Sequence, residues 1–320
     1  MKPAAQILRC LHLFPNASWQ EETLAEKLNL TPQLVRTEIE TLKNLGLPII
    51  EEPFHGFRLL FKLPDLLLSE IIESYLEESP VFWQPIVYRE TASTSDLVNQ
   101  LAAQGEREGL VIFAESQTKG RGRGDRIWES QSGLGLWFSL LLRPHWNISW
   151  ISRLTIITAA AVVKGIESVT SIKLQIKWPN DIVFEGKKIG GILTEVKVNG
   201  RQIHSAVIGI GLNINHRLND FSASLQPSAS SLQMITGRSH ARAEIAAAIL
   251  NQLLKNLESS NFEESRNLWR ERCITLNQEV TLTTATGQIT GRAESIAEEG
   301  SLLIRDTYGY LQGINSGEIT

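Results

Sequence analysis

The chain has 320 residues, of which 42% are hydrophobic, and its formal net charge is −4. This length and apolar content exclude a disordered chain and predict two or three globular domains. The near balance of 31 Lys and Arg against 35 Asp and Glu argues against a protein that coats nucleic acid nonspecifically, but leaves room for a local basic site. The two cysteines, Cys10 and Cys273, lack the spacing of a disulfide framework or a zinc site. Neither a signal peptide nor an apolar run as long as a membrane span is recognised, so we expect a cytoplasmic protein with no membrane partner.

Residues 1–62 have the pattern of three helices followed by a short hairpin. Ser18 and Glu21 have the spacing of a capping box at a helix start. Thr31 is a typical N-cap for the next helix, which is expected to end at Gly46. This order of elements predicts a winged helix-turn-helix domain.

A DNA-binding role for this domain and a structural or vestigial role both stay open. Residues 1–60 contain six Lys or Arg against seven Asp or Glu, whereas phosphate contacts dominate affinity for DNA. If the domain does read DNA, the expected contact residues are Thr31, Gln33, Arg36, Lys43 and Arg58.

The remainder of the chain divides into three further segments. Residues 63–80 predict an acidic linker helix closed by Pro80. Residues 81–272 alternate short apolar strand runs with helices, which indicates a mixed α/β domain around one sheet. Residues 273–320 contain short β segments separated by glycines, as in a small β-barrel. The predicted fold class is therefore a multidomain α+β protein.

A basic loop runs from Thr118 to Trp128 and contains three arginines and three glycines. Glycine lets the backbone approach an anion closely, and arginine provides a planar fork of donors for phosphate or carboxylate. The spacing is neither that of a P-loop nor that of a dinucleotide-binding fingerprint. An RGG-like segment that contacts RNA is the alternative, but the loop occurs once, directly after a predicted buried strand. These features favour an anion-binding loop.

Other segments add groups that a ligand site needs. Pro179 is expected to fix Lys177 at the end of a strand, although most lysines at strand ends are simply solvated. The hydroxyl-rich segment 93–95 is by itself only a helix N-cap. Glycines at 190–191 and in 209–215 leave room for a ligand or another backbone. No cluster with metal-ligand spacing is recognised.

Taken together, these segments resemble the biotin protein ligases, in particular the bifunctional bacterial ligase/repressors with an N-terminal winged helix. The resemblance covers essentially the whole chain in order and is carried by Ser93-Thr94, Gln117, Gly120 to Arg123, Trp128, Lys177 to Asp181, Gly190 to Leu193, Ile208 to Ile214 and Gly313 to Ile319. It implies a central catalytic domain of the class II synthetase and biotin/lipoate ligase type, and an SH3-like C-terminal barrel.

The resemblance also implies the chemistry. Biotin and ATP, with Mg²⁺, would form biotinyl-5'-adenylate, and a lysine on the biotin carboxyl carrier domain of acetyl-CoA carboxylase would attack it. Catalytic roles fall on Lys177, Arg121 and Arg123. Biotin would bind Ser93, Thr94, Ser95, Gln117, Gly120, Arg121, Gly122, Arg123, Lys177, Gly190 and Gly191. ATP or the adenylate would bind Arg123, Arg126, Trp128, Lys177, Asn180 and Asn213. The basic loop would close as a lid that excludes water, and no protein ligand of Mg²⁺ is assigned.

Two positions depart from the family pattern. Asp125 stands where the family loop usually has glycine, and Ser95 stands where it usually has asparagine, which bears on ligand affinity and on lid closure. Three other functions are considered: a repressor that senses the adenylate, dimerises and binds operator DNA; a lipoate ligase; and a noncatalytic biotin binder. Gln117 with the basic loop favours biotin over lipoate.

Overall fold

The protein is described by a computed structural model covering residues 1–15, 17–77, 83–124, 126–258, 262–284 and 287–319. Asp125 and the predicted end of the linker helix at Pro80 lie outside the described residues. The chain forms two compact units. The first contains the described residues up to 77 together with Ala241–Ala247, and the second contains the described remainder.

The first unit contains three helices, a hairpin and a fourth short helix. They are α1 (Pro3–Leu13), α2 (Glu21–Leu28), α3 (Pro32–Asn44), β1 (Ile49–Glu52), β2 (Gly56–Leu59) and α4 (Ser69–Tyr75). Fully buried apolar residues on the first three helices, such as Ile7, Leu24 and Ile39, form its core. The N-cap prediction for α3 is confirmed, since Leu34 N donates to Thr31 Oγ1.

Two local predictions for this unit are wrong. The capping box at Ser18 is absent, because Ser18 Oγ donates 2.9 Å to Glu52 Oε2 and α2 starts after Gln20 without a side-chain cap. The linker helix predicted over 63–80 is limited to α4, since Leu68 before it has an extended backbone.

The second unit is built on a seven-stranded mixed sheet with the order β3-β4-β5-β9-β8-β7-β6. Only the β3–β4 pair is parallel. The strands are β3 (Gln84–Thr91), β4 (Leu110–Gln117), β5 (Gly135–Leu142), β6 (Gln175–Lys177), β7 (Asp181–Phe184), β8 (Lys187–Asn199) and β9 (Gln202–Asn213). The helices after α4 are α5 (Thr94–Ala103), α6 (Ile151–Thr170), α7 (Leu232–Thr236), α8 (Arg242–Glu258) and α9 (Phe262–Arg272). The mixed α/β architecture predicted for this part of the chain is confirmed.

Helix α6 contradicts the expectation that the chain has no apolar run as long as a membrane span. Among the described residues, the segment Ile148–Thr170 is a single helical stretch long and apolar enough to cross a membrane. It packs against β8 and α9, and 56% of its most apolar window is buried inside the protein. Residues such as Leu154, Val162 and Ile166 are fully buried. The same length and composition therefore serve as the core helix of this unit.

The C-terminal part of the second unit is a five-stranded antiparallel sheet with the order β13-β12-β11-β10-β14. Its strands are β10 (Glu279–Thr284), β11 (Gly287–Ile296), β12 (Leu302–Asp306), β13 (Leu311–Ile314) and β14 (Glu318–Ile319). Pairing of β14 with β10 brings Gly317 and Glu318 to the basic loop of the same unit.

Candidate functional site

A cavity of about 370 Å³ in the second unit contains most of the predicted ligand-binding residues. Those in its lining are Ser93, Thr94, Ser95, Gln117, Arg121, Gly122, Arg123, Arg126, Trp128, Lys177, Asn180, Gly191 and Asn213. Gly120 and Gly190 lie outside the lining. A Cβ on Gly120 would stand 2.3 Å from Trp128 O, and one on Gly190 would stand 2.4 Å from Leu212 Cδ2. These two glycines are therefore required by close packing behind the wall.

Hydroxyl and amide groups fixed by hydrogen bonds form one end of the cavity. Thr94 N donates 2.8 Å to Gln117 Oε1, and Ser139 Oγ lies 2.8 Å from Thr94 Oγ1 and 2.9 Å from Ser95 Oγ. Ser139 is fully buried. Sequence reasoning missed it because it lies inside an apolar strand run; a lone hydroxyl in such a run is the only available signal. A Cβ on Gly209 would lie 2.6 Å from Ser95 Oγ, so that glycine shapes the same end.

The three arginines of the basic loop have different partners. Arg121 forms a two-pronged ion pair with Glu195, at 2.9 and 2.8 Å, and a third contact with Asp96. These carboxylates raise the pKa of Arg121, and Glu195 makes the largest contribution. Arg126 pairs with Glu318. In both guanidinium groups a ligand oxygen would therefore compete with a carboxylate or share the group with it.

Arg123 is different because its hydrogen-bond partners are neutral, although Glu318 and Asp181 lie near enough to favour its charge. Its Nη1 lies 3.4 Å from Asn180 Oδ1 and 3.4 Å from Gly317 O, and no ion-pair partner is found among the described residues. Burial lowers the pKa of Arg123. Among the arginines of the loop, Arg123 is the one available to an anionic ligand without loss of an ion pair.

Two lysines reach the cavity from β6 and β8, the strands on either side of β7. Lys177 ends β6, is exposed, and has no carboxylate partner in the part of the chain that the structure describes. Lys188, which sequence reasoning did not select, places Nζ 2.6 Å from Asp181 Oδ1 and 5.3 Å from the centre of the Trp128 ring. In the β7–β8 hairpin Lys188 is paired with Val183, two residues from Asp181, so the ion pair runs diagonally between the two strands.

Aromatic rings form another part of the wall, where Trp128, His216 and Phe221 line the cavity and Trp137 packs against them. The Trp128 and Trp137 rings meet edge to face with centroids 6.2 Å apart, and Trp137 meets His216 in the same way at 5.9 Å. His216 stacks on Phe221 at 4.9 Å. Gly211 makes room for Trp128, because a Cβ there would stand 2.7 Å from Trp128 Nε1. Sequence reasoning selected only Trp128 of this wall.

The two predicted asparagines currently support the wall. Asn180 Nδ2 donates 2.7 Å to Ile192 O, and Asn213 Nδ2 donates 3.1 Å to Ser230 O. Both side chains line the cavity. They therefore hold the segments that enclose the cavity, whatever contact they add to a ligand.

Burial lowers the pKa of His216 to about 4, although Asp220 and Glu129 oppose the shift. The ring is neutral at physiological pH and binds fewer protons in the folded than in the unfolded chain. Its contribution to stability is therefore complete above pH 6.5 and is lost as the pH falls towards 4.

We expect this contribution to account for about 2 kcal/mol of the unfolding free energy lost between pH 7.5 and pH 5. In His216→Phe, urea unfolding should show a correspondingly smaller loss between these two pH values. An equal loss in the variant and the parent would contradict the prediction.

The residues predicted to contact DNA lie in the first unit. Thr31 and Gln33 are exposed at the start of α3. The three basic residues are each paired with carboxylates of the same unit: Arg36 with Glu21 and Glu51, Lys43 with Glu40, and Arg58 with Glu52. Their positive charge is largely compensated where a phosphate backbone would have to bind.

Comparisons with known proteins identify a family that includes the segments around this cavity. Residues 87–213 match the biotin/lipoate A/B protein ligase family, and residues 275–320 match the biotin protein ligase C-terminal domain. The chain is 34% identical over 302 residues to the bifunctional ligase/repressor BirA of Bacillus subtilis, covering 93% of this chain and 92% of that one. It is 25% identical to the Escherichia coli protein of the same name, over 100% of this chain and 98% of that one.

Among solved structures, the chain is similar to the biotin protein ligase from Aquifex aeolicus in complex with biotin and ATP. The TM-score is 0.63 at 32% sequence identity, over 75% of this chain and 98% of that one. The sequence match and the structural match thus indicate the same family. The chain belongs to the biotin protein ligase family.

Proposed function

We propose that the protein is an ATP-dependent biotin protein ligase, which joins biotin and ATP into biotinyl-5'-adenylate and transfers biotin to a carrier-protein lysine. One observation carries the proposal: a single cavity is lined by fixed hydroxyl and amide groups, by aromatic rings, and by lysine and arginine side chains. The names of the relatives support the same reaction.

In the first step a biotin carboxylate oxygen bonds to the α-phosphorus of ATP, and the bond to diphosphate breaks. Two anionic groups must approach each other, so fixed positive charge is the main requirement. Lys177, Lys188 and Arg123 supply it. Lys188 is the better held of the two lysines, because Asp181 and the Trp128 face fix its ammonium group.

The ureido ring of biotin is neutral, with two donors and one acceptor, and needs fixed polar partners in an otherwise apolar pocket. Ser93, Thr94, Ser95 and Gln117 supply them, and Ser139 fixes two of these hydroxyls. Trp128 covers the adenine.

Lid closure follows from the partners of the basic loop. Arg121 and Arg126 share their donors between carboxylates and ligand oxygens when the loop closes, and closure excludes water from the reactive anhydride. In the second step the amine of the carrier lysine attacks the biotinyl carbonyl, the bond to the phosphate oxygen breaks, and AMP leaves. The carrier is proposed to be the biotin carboxyl carrier domain of acetyl-CoA carboxylase.

Mg²⁺ is proposed to arrive with ATP. No group of three or more metal-ligating side chains exists within the described residues. This fits Mg²⁺, which commonly uses one or two carboxylates together with phosphate oxygens and water. Asp181 is the carboxylate in the cavity lining nearest to Lys188, and it would hold the ion, which would neutralise phosphate charge.

The proposal is tested by biotin-dependent exchange of labelled pyrophosphate into ATP, with lipoate and octanoate in parallel. This assay isolates adenylate formation and needs no carrier. Exchange with biotin alone is expected. Exchange with lipoate in place of biotin would indicate a lipoate ligase. Binding of biotin without exchange would indicate a noncatalytic biotin binder.

A second role, as a repressor, is favoured by the names of the relatives and by the helices of the first unit. We propose a winged helix-turn-helix at 1–62, a linker at 63–80, a catalytic domain at 81–272 and an SH3-like barrel at 273–320, in a protein working in the cytoplasm. The adenylate-bound form would dimerise and bind palindromic operator DNA. An electrophoretic shift of operator DNA that is seen only with the adenylate would support this role. No shift at low salt, where phosphate contacts are strongest, would contradict it. The ion pairs of the basic residues on α3 already oppose DNA binding.

A further inference from the structure

The start of the basic loop is attached to the cavity wall by a cluster of charged side chains. Arg121 Nη1 and Nη2 donate 2.9 and 2.8 Å to the two carboxylate oxygens of Glu195, and Nη2 also lies 2.8 Å from Asp96 Oδ1. Asn99 Nδ2 donates 3.1 Å to Glu195 Oε2, so this carboxylate is itself held in place. Three separate elements, the basic loop, α5 and β8, therefore meet at one guanidinium group.

The two carboxylates stand just outside the ligand space. Ser95 and Leu193 line the cavity, whereas Asp96 and Glu195 lie outside its lining. Leu193 and Glu195 are two residues apart on β8 and share one face of the sheet, so Glu195 continues the row of side chains that starts in the cavity wall. These carboxylates therefore act on a ligand through Arg121 and not by direct contact.

The other end of the loop is held more weakly. Arg126 pairs with Glu318, and 66% and 49% of these two side chains are exposed. Exposed ion pairs contribute little to stability, whereas a guanidinium group that bonds a carboxylate through two nitrogens makes a strong and geometrically specific contact. Gly122 N donates 2.7 Å to Arg126 O, so the loop is one folded piece. Its firm attachment is at Arg121, and its free end is the one that carries Arg126.

We propose that Glu195 is a positioning residue, which keeps Arg121 fixed as the pivot of the basic loop while the rest of the loop opens and closes over the cavity. This rests on the proposed function, since the ligand that the closed loop retains would be biotinyl-5'-adenylate. A fixed pivot returns Arg123 and Trp128 to the same place at each closure, and contacts that are placed in advance hold a ligand longer. Without Glu195 the pivot loses its main support, and the adenylate leaves sooner.

The experiment measures release of labelled biotinyl-5'-adenylate from the full chain after addition of excess unlabelled adenylate. Because the adenylate is added ready-made, its release is measured separately from its formation. Glu195→Gln keeps the size of the side chain and removes its charge. It is expected to release the adenylate about 10-fold faster than the unmodified protein, because a charged two-pronged contact is lost. Asp96→Asn is expected to have a smaller effect, since Asp96 makes one contact with Arg121.

A double variant shows whether Glu195 acts through Arg121. Arg121→Met removes the pivot itself, and adding Glu195→Gln to it is not expected to speed release further, because the two residues form one contact. Effects that multiply would assign Glu195 a purely structural role in β8 and would overturn the proposal, as would unchanged release from Glu195→Gln. Glu185→Gln is the matched control: it changes an exposed carboxylate between β7 and β8, outside the cavity lining, and should release the adenylate normally.

Failure of the ligase reaction stays distinguishable from failure of the pivot. Release of added adenylate requires no adenylation chemistry, whereas pyrophosphate exchange does. A protein that retains the adenylate through Glu195 but shows no exchange with biotin would contradict the proposed function and support the pivot. Normal exchange, together with equal release from the unmodified protein and Glu195→Gln, would support the ligase and refute the pivot.

Discussion

Replacing Lys188 with alanine is expected to lower biotin-dependent pyrophosphate exchange at least about 100-fold while the fold stays intact. The reason is that the step joins a carboxylate to a phosphate, and removal of one fixed positive group from such a site typically costs two to three orders of magnitude. Lys188 Nζ lies against Asp181 and the Trp128 ring inside the cavity. Lys177→Ala is also expected to abolish most exchange, since its ammonium group has no competing carboxylate in the described structure.

Lys187 provides a matched control one residue away. It is exposed and lies outside the cavity lining, so Lys187→Ala should exchange normally. Thermal unfolding of all three variants checks that the fold survives. Near-normal exchange in Lys188→Ala would remove Lys188 from the reaction and leave Lys177 as the lysine that supplies the positive charge. Normal exchange in both variants would refute the proposed charge arrangement.

The lysines show how far the sequence predicts the site. The sequence motifs correctly select Ser93, Gln117 and Lys177 as cavity residues, because each lies at the start or end of a helix or strand whose pattern is visible locally. Prediction of Lys188 as a site residue would have required the register of the β7–β8 hairpin. That register contains an irregularity after Ile182, which the alternation of apolar and polar residues does not reveal.

The other site residues that were not predicted from the sequence were missed for the same reason. Ser139 and His216 act through contacts with segments far away in the chain, so their neighbours in sequence give little sign of a role. The Ser18 capping box failed for a similar reason: a carboxylate on β1, more than thirty residues along, competes for the hydroxyl. Element types followed from local periodicity, whereas hydrogen-bond partners depended on tertiary packing.

The strand β9 is expected to separate the two substrates kinetically. Gly209 and Gly211 are two residues apart, so both face the cavity. A Cβ at Gly209 would stand 2.6 Å from Ser95 Oγ at the hydroxyl end, and one at Gly211 would stand 2.7 Å from Trp128 at the aromatic end. Forcing a methyl group into such packing typically costs 1–3 kcal/mol.

Gly209→Ala should therefore raise the KM for biotin about 10- to 100-fold with little change for ATP, and Gly211→Ala should do the reverse. Each variant is the control for the other, since both add one methyl group to the same strand. Steady-state pyrophosphate exchange, with each substrate varied in turn, measures both constants. If the two variants raised both KM values together, the strand would transmit a general distortion, and biotin and nucleotide would not lie in order along β9. Opposite effects would place the biotin ring beside Ser95 and the base beside Trp128, with the reacting carboxylate and phosphate between them, where Lys188 and Arg123 carry their charge.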